Sequence, residues 1–183
     1  MLRQLMLRAP RLFVFDHVAE FGNTPGATVF YRLDQVILAL SPVRGGLGRF
    51  VYVPTGQVTP ALFALACRVP FAVRDLCMVV DEIDSLAGSV VPPPPEEFRR
   101  LIHFGRHIGC SFIAASRRPA DVPRLLSSQA TRFICFSQTE PSDLRWLRSV
   151  VGPRADELPA LPDLHYLEFD MQTRQVTAGR VTP

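Results

Sequence analysis

Short, uniformly apolar runs recur along this chain, and two of them stop on acids. Leu76-Cys77-Met78-Val79-Val80 has no polar alternate position and ends at Asp81-Glu82. Such a run predicts a strand buried on both faces, as in a parallel sheet. Leu12-Phe13-Val14-Phe15, closed by Asp16, has the same form. Residues 50–53, 111–115 and 132–136 predict further strands, and 164–169 with 175–178 predict a closing hairpin. Between them the spacing turns helical. Leu2, Leu5 and Met6 predict a helix over residues 1–9, ended by Pro10. Thr59-Pro60 reads as an N-cap and first helical position, opening a helix to about Arg68.

Residues 92–95 are four prolines, a stiff polyproline connector. Glu96 and Glu97 then suit the positive end of a helix dipole. That helix places Phe98, Leu101, Ile102, Gly105 and Ile108 on one face and Arg99, His103 and Arg106 on another, and Gly109 ends it. Residues 141–150 predict a helix with an acidic start, and 22–25 a loop. Residues 36–40 are apolar and fit either a strand or a helix. Strands alternating with helices predict a largely parallel sheet covered on both faces. At 183 residues, with 48% hydrophobic and 20% charged side chains, the expectation is one folded domain.

Charge adds little at the level of the whole chain: a net +3 permits a nucleic-acid partner without arguing for one. More telling, all 20 Lys-plus-Arg residues are arginine. Arginine suits phosphate, but a phosphate loop needs a lysine to reach the β- and γ-phosphates. The four cysteines, Cys67, Cys77, Cys110 and Cys135, form no C-x-x-C pair and read as buried, reduced thiols of a cytoplasmic protein. Arg3, Arg8 and Arg11 interrupt any signal-peptide core, and no uniformly apolar stretch approaches the ~20 residues of a membrane span.

The candidate chemistry sits where the buried strand ends. Open α/β sheets bind ligands at the carboxyl ends of their strands. Asp81 there suits the water shell of Mg²⁺, and Glu82 suits polarisation of an attacking water. This is a Walker B-like pattern; the alternative is that Asp81 caps the following segment. Gly45-Gly46-Leu47-Gly48 precedes a strand rather than a helix, so it reads as an ordinary loop and not as a phosphate cradle. His17, His103, His107 and His165 show no metal-ligand spacing and read as packing or surface residues.

Three stretches in order carry a family resemblance. Gly105-Arg106-His107-Ile108-Gly109 leads into an apolar strand that ends at Ser116-Arg117-Arg118-Pro119. Ser128-Gln129-Ala130 precedes Arg132-Phe133-Ile134-Cys135-Phe136, and Glu140-Pro141-Ser142-Asp143-Leu144 follows. Together, over about residues 8–152, they resemble the FtsK–HerA family of P-loop ATPases. The resemblance implies a RecA-like three-layer α/β sandwich with a mainly parallel sheet, here without its first strand and P-loop. It implies ATP and Mg²⁺ as cofactors, homo-oligomeric rings of hexamer type, and double-stranded DNA as the partner moved or packaged. Asp81 would hold the metal and Glu82 the water. Ser116 and Arg117 would be the sensor, and Arg106 and Arg118 would reach a phosphate across a subunit boundary.

The absence of a membrane anchor fits a phage or plasmid packaging ATPase in the host cytoplasm better than a cell-division translocase. Two departures bear on activity. Arg117 stands where the family has glutamine, and arginine only donates hydrogen bonds. The P-loop is absent, so the chain begins one motif too late, with residues 1–9 matching the helix that follows it. A motor domain inactive as it stands is therefore the expectation; the alternative is a non-hydrolysing structural or interaction protein on a decayed ATPase fold. Upstream in frame, an apolar strand and a Gly-x-x-x-x-Gly-Lys-Ser/Thr segment are expected.

Overall fold

The computed structural model describes residues 1–40, 48–87 and 93–182. Most of the glycine-rich turn (44–47) and Pro92 therefore lie outside the described residues. The chain forms two compact units, Met1–Arg117 and Arg118–Pro183.

The first unit is a five-stranded sheet with order β2-β3-β1-β4-β5, parallel throughout. Its strands are β1 (Arg11–Phe15), β2 (Ala27–Phe30), β3 (Gly48–Tyr52), β4 (Cys77–Val80) and β5 (Ser111–Ala114). The two runs singled out by their uniform apolarity lie side by side at the centre, and every residue of β1 and β4 is buried. Alternate side chains go to opposite faces, and each face has its own cover. Leu12, Val14, Val51, Cys77 and Val79 pack with Met6 of α1 (Leu2–Arg8). On the other face Phe15 meets Phe63 of α3 (Pro60–Val73), Phe63 meets Phe98 of α5 (Glu96–Phe104), and Phe98 meets Phe112 of β5. Helix on sheet on helix is the expected three-layer sandwich with a parallel sheet.

Several elements depart from the sequence expectation. The ambiguous 36–40 run is the second half of a helix, α2 (Leu33–Leu40), which buries Val36 and Leu40 one turn apart. Strand β2 was not anticipated; it is a half-buried edge strand of four residues. Thr59 caps α3 as expected, its hydroxyl accepting from the Leu62 N–H at 3.2 Å. The helix then runs past Arg68 to Val73, straight through a buried Pro70. That proline lacks one donor near the last turn, and burial of Val69, Pro70 and Val73 outweighs the loss. The helix after the prolines ends in a 3-10 turn, Gly105–Ile108, stopped by Gly109 at φ 71°.

The second unit is antiparallel. β6 (Arg132–Cys135), β7 (His165–Asp170) and β8 (Val176–Arg180) pair in that order, the last two as the expected hairpin. Two helices belong to this unit, α6 (Arg124–Ser127) and α7 (Pro141–Val151). Leu147 of α7 packs with Ala155, Leu158, Leu167 and Phe169.

Candidate functional site

Register decides what emerges at the carboxyl edge of the parallel sheet. Phe15 pairs with Val80, and Val80 pairs with Ala114. Asp16-His17, Asp81-Glu82 and Ser116-Arg117 therefore leave three adjacent strands side by side. The pairing continues past the strands: the Ala115 N–H donates to the Val80 carbonyl at 3.0 Å and the Ile83 N–H to the Ala115 carbonyl at 3.0 Å. No strand intervenes between the one ending at Asp81 and the one ending at Ser116.

The acids have different surroundings. Asp16 is fully buried and accepts the Glu20 and Phe21 N–H groups at 3.0 and 2.8 Å, which ties down the loop after β1. Asp81 is half-buried and its Oδ1 accepts the Glu82 N–H at 2.9 Å. It stands one residue before the turn into α4 (Ile83–Ala87), not as a buried helix cap. Glu82 takes a left-handed backbone, φ 44°. For a residue with a Cβ this costs roughly 1–2 kcal/mol, so neighbours must hold it. They do: the Ser85 N–H and hydroxyl both donate to the Glu82 carbonyl, at 3.0 and 2.8 Å.

The Glu82 carboxylate forms an ion pair with Arg117 at 2.5 Å. The Arg117 side chain is 79% exposed, so this is a surface pair worth about 0–1 kcal/mol and easily displaced. Chemically it matters more than energetically, because the guanidinium occupies a carboxylate oxygen that an attacking water would otherwise use. His17 lies at the same edge with Nε2 3.0 Å from the Ser85 Oγ. Burial lowers its pKa, against the opposing pull of Glu82, Asp81, Asp16 and Asp84.

The fold thus brings Asp81, Glu82, Ser116 and Arg117 to one edge of the first unit's sheet and Arg106 to the other. Arg106 lies in the 3-10 turn before β5, at the opposite, amino edge. Arg118 opens the second unit, where its Nε donates to Asp143 at 3.0 Å. Asp143 is fully buried on α7 and also accepts the Ala120 N–H at 2.9 Å. The role expected for both arginines was across a subunit boundary. Sequence reasoning missed two contacts, Asp143 with Arg118 and His17 with Ser85. Asp143 had a signal, since it is the acid of Glu140-Pro141-Ser142-Asp143-Leu144. His17 had none beyond its place after a buried strand.

Among the described residues no group of three or more His, Cys, Asp or Glu side chains could hold a metal ion by itself. Mg²⁺ keeps several waters and takes one or two carboxylates plus substrate phosphates. Asp81 suits the protein's share of such a shell. No helix among the described residues is long and apolar enough to cross a membrane.

No family model matches the chain, and no curated protein matches it by sequence. Solved structures do match in fold. The genome packaging NTPase B204 from Sulfolobus turreted icosahedral virus 2, in complex with AMPPCP, superposes with a TM-score of 0.77 at 17% identity, over 100% of this chain and 88% of that one. The same NTPase with ATP-gammaS gives a TM-score of 0.72 at 17% identity, over 98% and 86%. B204 described as the DNA-packaging ATPase from Sulfolobus turreted icosahedral virus gives 0.72 at 17% identity, over 100% and 88%. The chain therefore has the fold of a RecA-like P-loop NTPase and has viral genome-packaging NTPases as its structural neighbours, in agreement with the FtsK–HerA resemblance of its motifs.

Proposed function

We propose that this chain is a packaging-motor-type NTPase domain of the FtsK–HerA kind, built to act on ATP with Mg²⁺ in a homo-oligomeric ring around double-stranded DNA. One observation carries the reading: the register of β1, β4 and β5 sets Asp81-Glu82 beside Ser116-Arg117 at the carboxyl edge of a sheet whose fold is that of a packaging NTPase. A neighbour matched over 100% of this chain supports treating residues 1–183 as one ATPase-type domain. In this reading Asp81 holds the water shell of Mg²⁺, which neutralises charge on the phosphates. Glu82 orients the attacking water once Arg117 has let go of it, and Ser116 lies beside the phosphate end. Arg117, once released, is a cation available to the γ-phosphate. Arg106 and Arg118 act, if at all, on a neighbouring subunit's nucleotide.

These residues contain no lysine and no glycine loop ahead of a helix to cradle the triphosphate, so the 183 residues alone are inactive in this reading. Calorimetric titration with ATP and a phosphate-release assay test this. The expected outcome is binding in the millimolar range or weaker and no turnover. Micromolar affinity would show that another element holds the phosphates. In a form extended by a Gly-x-x-x-x-Gly-Lys-Ser/Thr segment, turnover should appear and Glu82→Gln should abolish it while sparing binding.

A second reading, a non-hydrolysing structural or interaction protein on the same fold, is favoured by the Arg117–Glu82 ion pair, which occupies the carboxylate that hydrolysis needs. Absence of turnover in the extended form, with ATP bound, would select it.

A further inference from the structure

We propose that His17 is a positioning residue for Glu82, acting through Ser85. The inference rests on the reading of Glu82 as the water-orienting acid. His17 lies two residues beyond Phe15 and Glu82 two residues beyond Val80, and Phe15 and Val80 are register partners. The histidine and the acid therefore leave neighbouring strands at the same level, with Ser85 between them. His17 Nε2 is 3.0 Å from the Ser85 Oγ, and that hydroxyl is 2.8 Å from the Glu82 carbonyl.

Proton accounting sets the direction of this chain. A carbonyl only accepts, so the single Ser85 hydroxyl proton goes to Glu82. The Ser85 oxygen must then accept from His17, which puts the imidazole proton on Nε2. His17 Nδ1 is left as the lone-pair nitrogen, and it is buried without a hydrogen-bond partner. A charged imidazolium would bury an unmet N–H there, so the neutral ring with its proton on Nε2 is the form that fits. The ring is also packed against Phe15, 6.1 Å between centroids.

What the chain of hydrogen bonds holds is the unusual part of the edge. Glu82 has φ 44°, and its carbonyl is gripped by both donors of Ser85. Returned to an ordinary negative φ, Glu82 would send its carboxylate in another direction from the Asp81 side chain. His17 fixes the Ser85 hydroxyl, Ser85 fixes the Glu82 carbonyl, and the carbonyl fixes the direction of the carboxylate. Glu82, Asp81, Asp16 and Asp84 all act electrostatically on the ring, so the imidazole belongs to the acidic edge.

The test uses two arms. In the 183-residue chain, NMR reads the ring-nitrogen shifts of His17 and the φ-dependent couplings of Glu82. The expected result is an Nε2–H tautomer, with Glu82 couplings that change in His17→Phe and Ser85→Ala but persist in His17→Gln, whose amide can donate from the same place. An Nδ1–H tautomer, or Glu82 couplings unchanged in His17→Phe and Ser85→Ala, overturns the proposal. Because the tautomer is read in the unsubstituted protein, a variant that fails to fold does not shield the idea.

In a form extended by a phosphate-binding segment, His17→Phe should lower kcat on the order of tenfold or more with KM nearly unchanged, and His17→Gln should restore most of it. A kcat left intact by His17→Phe overturns the functional half of the proposal. If the extended parent itself shows no turnover, the reading of Glu82 fails, while the NMR arm still decides whether His17 holds it.

Discussion

β4 and β5 are neighbours of equal length with closely similar apolar character, yet β4 is buried at all four positions and β5 at none. The difference is one of place, not of sequence. β4 has β1 on one side and β5 on the other, whereas among the described residues β5 has β4 alone. Phe112, Ile113 and Ala114 therefore stand half-exposed on an edge strand, the kind of position where backbone groups can go without a ladder partner. Parallel sheets normally bury such residues under neighbours on both sides. The strand that leads to Ser116 and Arg117 is thus the one where the apolar pattern exceeds the burial it receives.

A charge in each strand breaks or sharpens this contrast most sharply. Val79→Asp puts a carboxylate in the middle of the sheet, and urea unfolding should show a loss on the order of 4 kcal/mol or failure to fold. Ile113→Asp should lose only about 1 kcal/mol, the share of half-burial. Equal losses would mean that β5 is no edge in solution. Self-association is the next largest effect expected. Sedimentation should find the chain associating or poorly soluble, and Ile113→Lys should disperse it, since a lysine blunts an open edge. A thermostable monomer with an unmodified β5 would contradict this.

The second unit supplies a control, a charge pair with one partner fully buried. Asp143→Ala leaves the Ala120 N–H without its acceptor and Arg118 without its carboxylate, and about 1–3 kcal/mol should be lost. Arg117→Ala removes a surface pair just after β5, and the loss should stay below about 1 kcal/mol. Thermal melts of both variants check the order. A larger loss from Arg117 would make it a structural residue instead of a displaceable partner of Glu82.

The same contrast explains how much could be read in advance. Uniform apolarity located β1 and β4 and their acids, because a centre strand has one environment along its whole length. Thr59 and Gly109 marked a helix start and stop through local backbone needs. Where the answer depended on tertiary neighbours, the residues were silent. Nothing in Ser111-Phe112-Ile113-Ala114 tells that one side goes unpaired. The helix expected to end near Arg68 runs on to Val73 because packing holds its last turn, and the four residues of β2 offered too short a pattern. The acidic edge was half legible: Asp81-Glu82 follows from strand endings, but His17 reaches it only through the β1–β4 register, and Ser85 only through the turn at Glu82. The Arg117–Glu82 pair likewise needs the β4–β5 pairing.

The smallest expected effect is chemical. Cys77 begins β4 and is buried; Cys110 directly precedes β5 and is half-buried. Burial raises both thiols above their ordinary pKa, and Cys135 is pushed up to about 12 for the same reason. Alkylation needs the thiolate, so labelling of the folded chain near neutral pH should be slow at every cysteine. Access then separates the strands: mass spectrometry should find Cys110 modified before Cys77. The linkage sign follows from the direction of the shifts. Groups whose folded pKa is raised favour the fold below their unfolded value of 9.0 and lose that contribution as pH climbs above it. Stability should therefore decline above about pH 9, and Cys77→Ala should soften that decline more than Cys110→Ala, because the more buried thiol resists ionisation more. Cys77 labelled as readily as Cys110 would mean that β4 opens as easily as its neighbour. The contrast between centre and edge would then belong to the static fold and not to its motions.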